Sequence, residues 1–218
     1  ILTMLGVIIG VGAVIIMITL GNGTTQVITE RMSSLGSNIL LVFPARDQTP
    51  GKGGRKQFML QDVEDLELQI GHLVRAIAPL SSTSVLAQFR QGNTQTQAQG
   101  INADYFIATN WEVTQGRNFT KEEYRAGSNV CIIGESVRKN LFNTSNVNPL
   151  GMRIRLGSIV CDCVGILESK GQGAMGNDQD DVILLPLKTY QRSISKSDSL
   201  YNISRLMISL KDEVDSTM

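Results

Sequence analysis

Charge is absent from the first twenty residues, ILTMLGVIIGVGAVIIMITL, which contain no Asp, Glu, Lys, Arg, His, Asn or Gln; the first charged side chain is Glu30. At about 1.5 Å rise per residue a helix of that length spans about 30 Å, the hydrocarbon thickness of a bilayer. The run is too long for the apolar core of a signal peptide, which would also need a basic leader and a small-x-small cleavage site. Residues 1–20 are therefore expected to form a transmembrane helix in membrane lipid. Aromatics are scarce too: Trp111 is the single Trp, beside six Phe, which argues against a stacking platform. The 20 basic and 20 acidic residues all lie beyond this run and cancel, so the basic face that nucleic-acid binding needs is missing. Three cysteines, Cys131, Cys161 and Cys163, make an odd count and no disulfide framework.

Catalytic and nucleotide motifs are equally lacking. There is no G-x-x-x-x-G-K-[ST], no G-x-S-x-G and no H-E-x-x-H. The stretch GQGAMG at 171–176 does match G-x-G-x-x-G after a predicted strand, but it runs into Asn177-Asp178-Gln179-Asp180-Asp181 and another strand. A dinucleotide site needs a helix to open there, and the acidic side chains would repel a phosphate. That acidic cluster also lacks the register and distal Glu of a calcium loop. His72, the single histidine, sits beside Gly71 at a helix end and reads as a partly exposed terminal residue. Cys161 and Cys163 share one strand face and read as small core residues; in an oxidising compartment either could pair with Cys131. No catalytic residue, cofactor or metal is expected, and the chain itself is not expected to be an enzyme. Gly6 and Gly10 form G-x-x-x-G in the apolar run, a spacing that lets helix backbones approach closely in lipid.

About 200 residues remain, enough for a proper core in one domain or two small ones. Val27, Ile28, Met32 and Leu35 fall at helical spacing, predicting a stalk helix over 21–36 with Gly36 as its stop. A strand over 39–43 ends at Pro44, and 46–57 (RDQTPGKGGRKQ) reads as a mobile loop. A helix follows over 60–70, with Val63, Leu66 and Ile70 on one face, then a strand over 74–80. Strands over 84–91 and 94–101 are expected to join through Gly92-Asn93, with Gln95, Gln97 and Gln99 on a wet face. Further strands are expected over 129–134, 153–156, 159–167, 182–185 and 203–210, with a tight turn at Gly157-Ser158 and the start of a helix over 211–218. The fold class expected is α+β: a transmembrane helix (1–20), a stalk (21–36), an αβ lobe (37–82 and 201–218) and an inserted β-rich lobe (83–200).

Several stretches, in order, resemble the permease subunits of MacB-type ABC transporters. LTMLGVIIGVGAV at 2–14 is similar to their first membrane helix, and SSLGSNILLVFP at 33–44 to the entry into their periplasmic core domain. NWEVTQGRNFT (110–120), NVCIIGESVRKNLF (129–142), NPLGMRIRLG (148–157), VGILESKGQG (164–173) and DQDDVILLPLKTYQR (178–192) resemble successive blocks of that domain. The resemblance implies an inner-membrane protein with this domain in the periplasm, between the first and second membrane helices. It implies a porter-like lobe, incomplete here at its C-terminal end, with the β-rich lobe inserted. It also implies a homodimer powered by a fused or separate ABC ATPase, working with a periplasmic adaptor and, in Gram-negative members, an outer-membrane duct for efflux. Two other readings stay open: a non-transporting permease that passes force to a periplasmic cell-wall hydrolase, and a lipoprotein-extracting permease. The three cysteines are not part of the family pattern.

Overall fold

The computed structural model describes residues 39–44, 58–142, 147–173, 176–194 and 203–211. The chain divides into two compact units, Ile1–Ser37 and Asn38–Met218, and all the described residues belong to the second. The expected membrane helix with Gly6 and Gly10, the stalk, the loop over 46–57 and nearly all of the terminal segment 211–218 lie outside the described residues. Among those described, no helix is long and apolar enough to cross a membrane.

Strand β1 (Ile39–Val42) is followed by helix α1 (Leu60–Ile70) and strand β2 (Val74–Phe89). Helix α1 forms where expected. Asp62 accepts from the Met59 N–H at 2.7 Å, and its charge in the first turn complements the helix dipole. Val63, Leu66 and Ile70 face a core of Val74, Ile77, Leu206 and Ile208. Strand β2 departs from expectation: it is one continuous strand of 16 residues, not two separated at the polar Ser81-Ser82-Thr83 run. Its first half pairs antiparallel with β9 (Arg205–Leu210), and its second half, from Ser81 on, pairs with β3 (Gly92–Ile101). Pairing with β9 up to Leu80 and with β3 from Ser81 on carries the strand through the serine-rich run in spite of its weak strand preference. At the handover, the Ser204 N–H and hydroxyl both donate to the Leu80 carbonyl, at 3.0 and 2.8 Å.

The β2–β3 turn also lies earlier than the glycine suggested. Phe89 pairs with Gly92, so Arg90 and Gln91 form the turn, with Arg90 at φ 52°. Gly92 serves a close approach instead, because a Cβ there would stand 2.4 Å from the Leu141 carbonyl oxygen. By contrast, β6 (Arg153–Leu156) and β7 (Ile159–Leu167) meet through Gly157-Ser158 as expected, with Gly157 at φ 56°.

Among the described residues, four short helices that the alternating texture concealed come between and after these strands. They are α2 (Asp104–Thr109), α3 (Lys121–Ala126), α4 (Glu135–Phe142) and α5 (Leu187–Ser193). Strands β4 (Val113–Gly116), β5 (Val130–Ile133) and β8 (Val182–Pro186) complete the sheet, whose order is β1-β9-β2-β3-β8-β5-β7-β4. Strand β6 pairs with both β7 and β2, so β2, β3, β8, β5, β7 and β6 close into a ring of six strands. Ala87, Ala98, Cys131, Ile154, Leu156 and Ile183 pack in its core together with Val137 and Leu141 of α4. Strand β2 thus belongs to two structures: the closed ring, and the open β1–β9–β2 sheet backed by α1.

Candidate functional site

Strict alternation along two strands builds a cleft. On β9, Leu206 and Ile208 turn toward α1, which leaves Arg205 and Met207 on the opposite face. On β3, Thr96 and Ala98 are buried, so Gln97 and Gln99 face the other way. These two faces, the exposed Leu41 of β1 and the loop 177–181 line a cleft of about 470 Å³. Tyr105 of α2 also lines it and donates its hydroxyl to Gln99 Oε1 at 3.3 Å. Burial pushes the Tyr105 phenol well up from its ordinary value, with Arg205 pulling partly back, so it stays a donor at neutral pH. Two polar atoms of the lining are buried without a hydrogen-bond partner among the described residues: Arg205 Nε and Asp181 Oδ1. Leaving such a group unpaired costs about 1–3 kcal/mol, more when it is charged.

The loop that carries Asp181 is fixed by its neighbour. The Asp180 side chain is 3% exposed and accepts from the backbone N–H groups of Lys170 and Gly171, at 2.8 and 3.1 Å, and from the Ser169 hydroxyl. The amide of the first glycine in the G-x-G-x-x-G stretch is therefore held by an internal carboxylate, where a phosphate would have to compete for it. Lys170 lies over the Trp111 ring, 5.4 Å from its centroid, and donates to the Thr109 carbonyl at 2.8 Å. Burial holds its ammonium below the usual lysine range, with Glu168 opposing. Trp111 in turn donates Nε1–H to the Glu168 carbonyl at 2.7 Å. Among the described residues no group of three or more His, Cys, Asp or Glu is placed to hold a metal ion. His72 is exposed, and its carbonyl accepts from Lys211 Nζ at 2.8 Å.

The three cysteines are free, buried and gathered in the core of the ring. Cys131 and Cys163 are register partners on the parallel pair β5–β7, and Cys161 shares the face of Cys163. Burial pushes the Cys163 thiol up to about 12, with Cys161 adding to it. The Cys131 thiol is raised well above its ordinary value, by burial first and then by Cys161. Both thiols therefore stay protonated and poorly nucleophilic. From sequence, Asn177, Asp178, Gln179 and Asp181 are weighed only as a phosphate or calcium loop and set aside, Gln97 and Gln99 only as a wet strand face, and Leu41, Arg205 and Met207 are not singled out as site residues. Arg205 alternates on a strand that was expected, but only the fold brings it and Asp181 to the lining of one cleft.

The whole chain, residues 1–218, matches the model of the MacB-like periplasmic core domain. It belongs to that family. Similar curated proteins include the macrolide export ATP-binding/permease protein MacB of Wolinella succinogenes, 29% identical over 94% of this chain and 31% of the relative. The protein of the same name from Rhodopirellula baltica is 34% identical over 90% of this chain and 29% of its own length. The chain thus spans about a third of the curated relatives that it matches. Among solved structures, the periplasmic region of MacB from Actinobacillus actinomycetemcomitans superposes with a TM-score of 0.67 at 21% identity. That match covers 85% of this chain and 80% of the other. The extracellular domain of the ABC-type transporter YknZ from Gram-positive bacteria superposes at 0.65 and 19% identity, over 81% of this chain and 85% of that one. These likenesses show a shared mixed α/β fold, and the family is that of a MacB-type ABC transporter permease.

Proposed function

We propose that this chain is the first membrane helix and periplasmic core domain of a MacB-type exporter permease, and that the domain carries ATP-driven movement outward for efflux. In this reading it does no chemistry of its own. An ABC ATPase, fused or separate, moves the membrane helices of a homodimer in the inner membrane. The domain passes that displacement to a periplasmic adaptor and an outer-membrane duct. The family match over the whole chain supports the assignment, and the names of the curated relatives supply both the ATPase and the export.

The observation that carries the mechanical part is β2. At about 3.3 Å per residue its 16 residues make a bar of roughly 50 Å. One half is hydrogen-bonded into the β1–β9–β2 sheet and the other into the closed ring, with the Leu80 carbonyl doubly bonded at the handover. A ring without free edges, tied through a continuous strand to a helix-backed sheet, is two lobes built to move as one body, a porter-like lobe bearing an inserted one. The test acts upstream of that body. A flexible Gly-Ser segment inserted after Met32 of the full-length protein should sharply lower export-dependent resistance while ATP hydrolysis by the complex persists. Normal export with the insertion in place would end the force-transmission reading.

A further inference from the structure

We propose that the cleft between β9, β3 and the loop 177–181 binds a small zwitterion of dipeptide size, its ammonium group on Asp181 and its carboxylate on Arg205. The charges of the lining select such a ligand. Arg205 and Asp181 both line the cleft, and the ion pairs of the described residues lie elsewhere, at Arg117–Glu123, Glu135 with Arg138 and Lys139, and Arg153–Asp162. Each carries one atom already stripped of water and unpaired, Nε of Arg205 and Oδ1 of Asp181. Both side chains are thus already partly desolvated while the residues as a whole stay half-buried at the cleft, so pairing the rest of each charged group with a ligand costs less than it would in open water. A ligand of one sign is poorly served: an anion meets Asp178 and Asp181, and a cation meets Arg205. A molecule with one charge of each sign satisfies both walls.

The rest of the lining fits a peptide group between those charges. Gln97 and Gln99 stand along β3, each carboxamide offering a donor and an acceptor. Tyr105 occupies the Gln99 oxygen, which leaves the Gln99 amide N–H groups as the donors for an incoming carbonyl. Leu41 and Met207, register partners on β1 and β9, supply an apolar wall for a side chain. The volume of about 470 Å³ lies within the usual range of small-molecule sites, about 300–1,000 Å³. The acidic rim is rigid because Asp180, next to Asp181, is buried and bonded on both oxygens. No mechanical role requires such a cleft, so this inference goes beyond the function proposed above.

The test is calorimetric titration of the purified full-length protein with leucyl-leucine, its N-acetyl derivative and its C-terminal amide, without nucleotide. Wild-type protein should bind leucyl-leucine, and each blocked probe roughly tenfold more weakly, the worth of one charge-assisted hydrogen bond. Asp181→Asn should abolish the preference for the free amine, and Arg205→Gln the preference for the free carboxylate, while the exposed Arg75→Gln should change neither. Failure of leucyl-leucine to bind at millimolar concentration, or equal binding of all three probes, would overturn the proposal. Should a variant misfold, the probe series on wild-type protein decides alone. Because export and ATP hydrolysis are not read out, failure here is separate from failure of the mechanical role.

Discussion

Removing the Asp180 carboxylate should loosen the cleft rim at a magnitude that its surroundings set. Three donors converge on it: two backbone amides at 2.8 and 3.1 Å and the Ser169 hydroxyl. Hydrogen bonds to a charged group contribute about 1.5–3 kcal/mol each. Truncation to Ala does not forfeit the full sum, since the Ser169 hydroxyl can rotate and water can reach a loop at the surface. A net loss of about 3 kcal/mol is expected for Asp180→Ala, lowering the melting temperature by about 6–12 °C for a domain of this size. Asp180→Asn keeps one accepting oxygen but turns an NH₂ toward a donor, so it should lose roughly half as much. Urea unfolding followed by the fluorescence of Trp111 reads both, because this sole Trp packs against Lys170 of the same loop. A midpoint for Asp180→Ala indistinguishable from wild type would refute the claim that this carboxylate holds the loop.

Other outcomes follow from the same structure. Leu156→Ala, fully buried on the strand that closes the ring, should destabilise by about 2–5 kcal/mol in the same urea assay. Glu67 is raised from its ordinary value by burial first and then by Asp104, so between the unfolded and folded pKa the native state binds more protons and stability falls as pH rises. Glu67→Gln should therefore melt above wild type at pH 7, with the difference closing as pH falls well below the ordinary carboxylate value, where both states are protonated. Arg117→Ala removes the partner that holds Glu123 below the usual carboxylate range. The pair's contribution is present above the unfolded pKa of Glu123 and lost as pH falls through its folded one, and with Arg117 half exposed it should amount to less than about 1 kcal/mol by thermal melting. All three cysteines should resist a thiol reagent in the native domain at neutral pH and react after unfolding, as counted by mass spectrometry.

How far the sequence could be read depended on the range of the interactions involved. Helix α1 was legible because Val63, Leu66 and Ile70 repeat over three turns and face one core. The Gly157-Ser158 turn was legible because the glycine there serves the turn itself. Gly92 misled because its reason lies on another helix, at the Leu141 carbonyl. The four short helices of six to eight residues are too brief for a periodicity to declare itself. One still left a sign: Thr120 and Glu123 form a reciprocal capping box, and Gly127 ends the helix at φ 64°. The shared face of Cys161 and Cys163 followed from strand alternation, but their gathering with Cys131 needed the parallel β5–β7 pairing. The cleft joins Leu41, Gln97, Asp181 and Arg205, positions that no local pattern connects.

Transmission of movement through this domain requires β2 to move as one bar, and a distance along it tests that most directly. Spin labels on Arg75→Cys and Gln88→Cys, both exposed, sit on opposite sides of the Leu80–Ser81 handover. They lie on the order of 40 Å apart at about 3.3 Å per residue, and the native cysteines are buried away from the label. Pulsed electron–electron resonance on the full-length protein, nucleotide-free and trapped during ATP hydrolysis, should give the same distance within one subunit while distances from this domain to the membrane helices change. A distance along β2 that shifts with nucleotide would mean that the strand hinges at the handover, and would contradict transmission by a rigid domain.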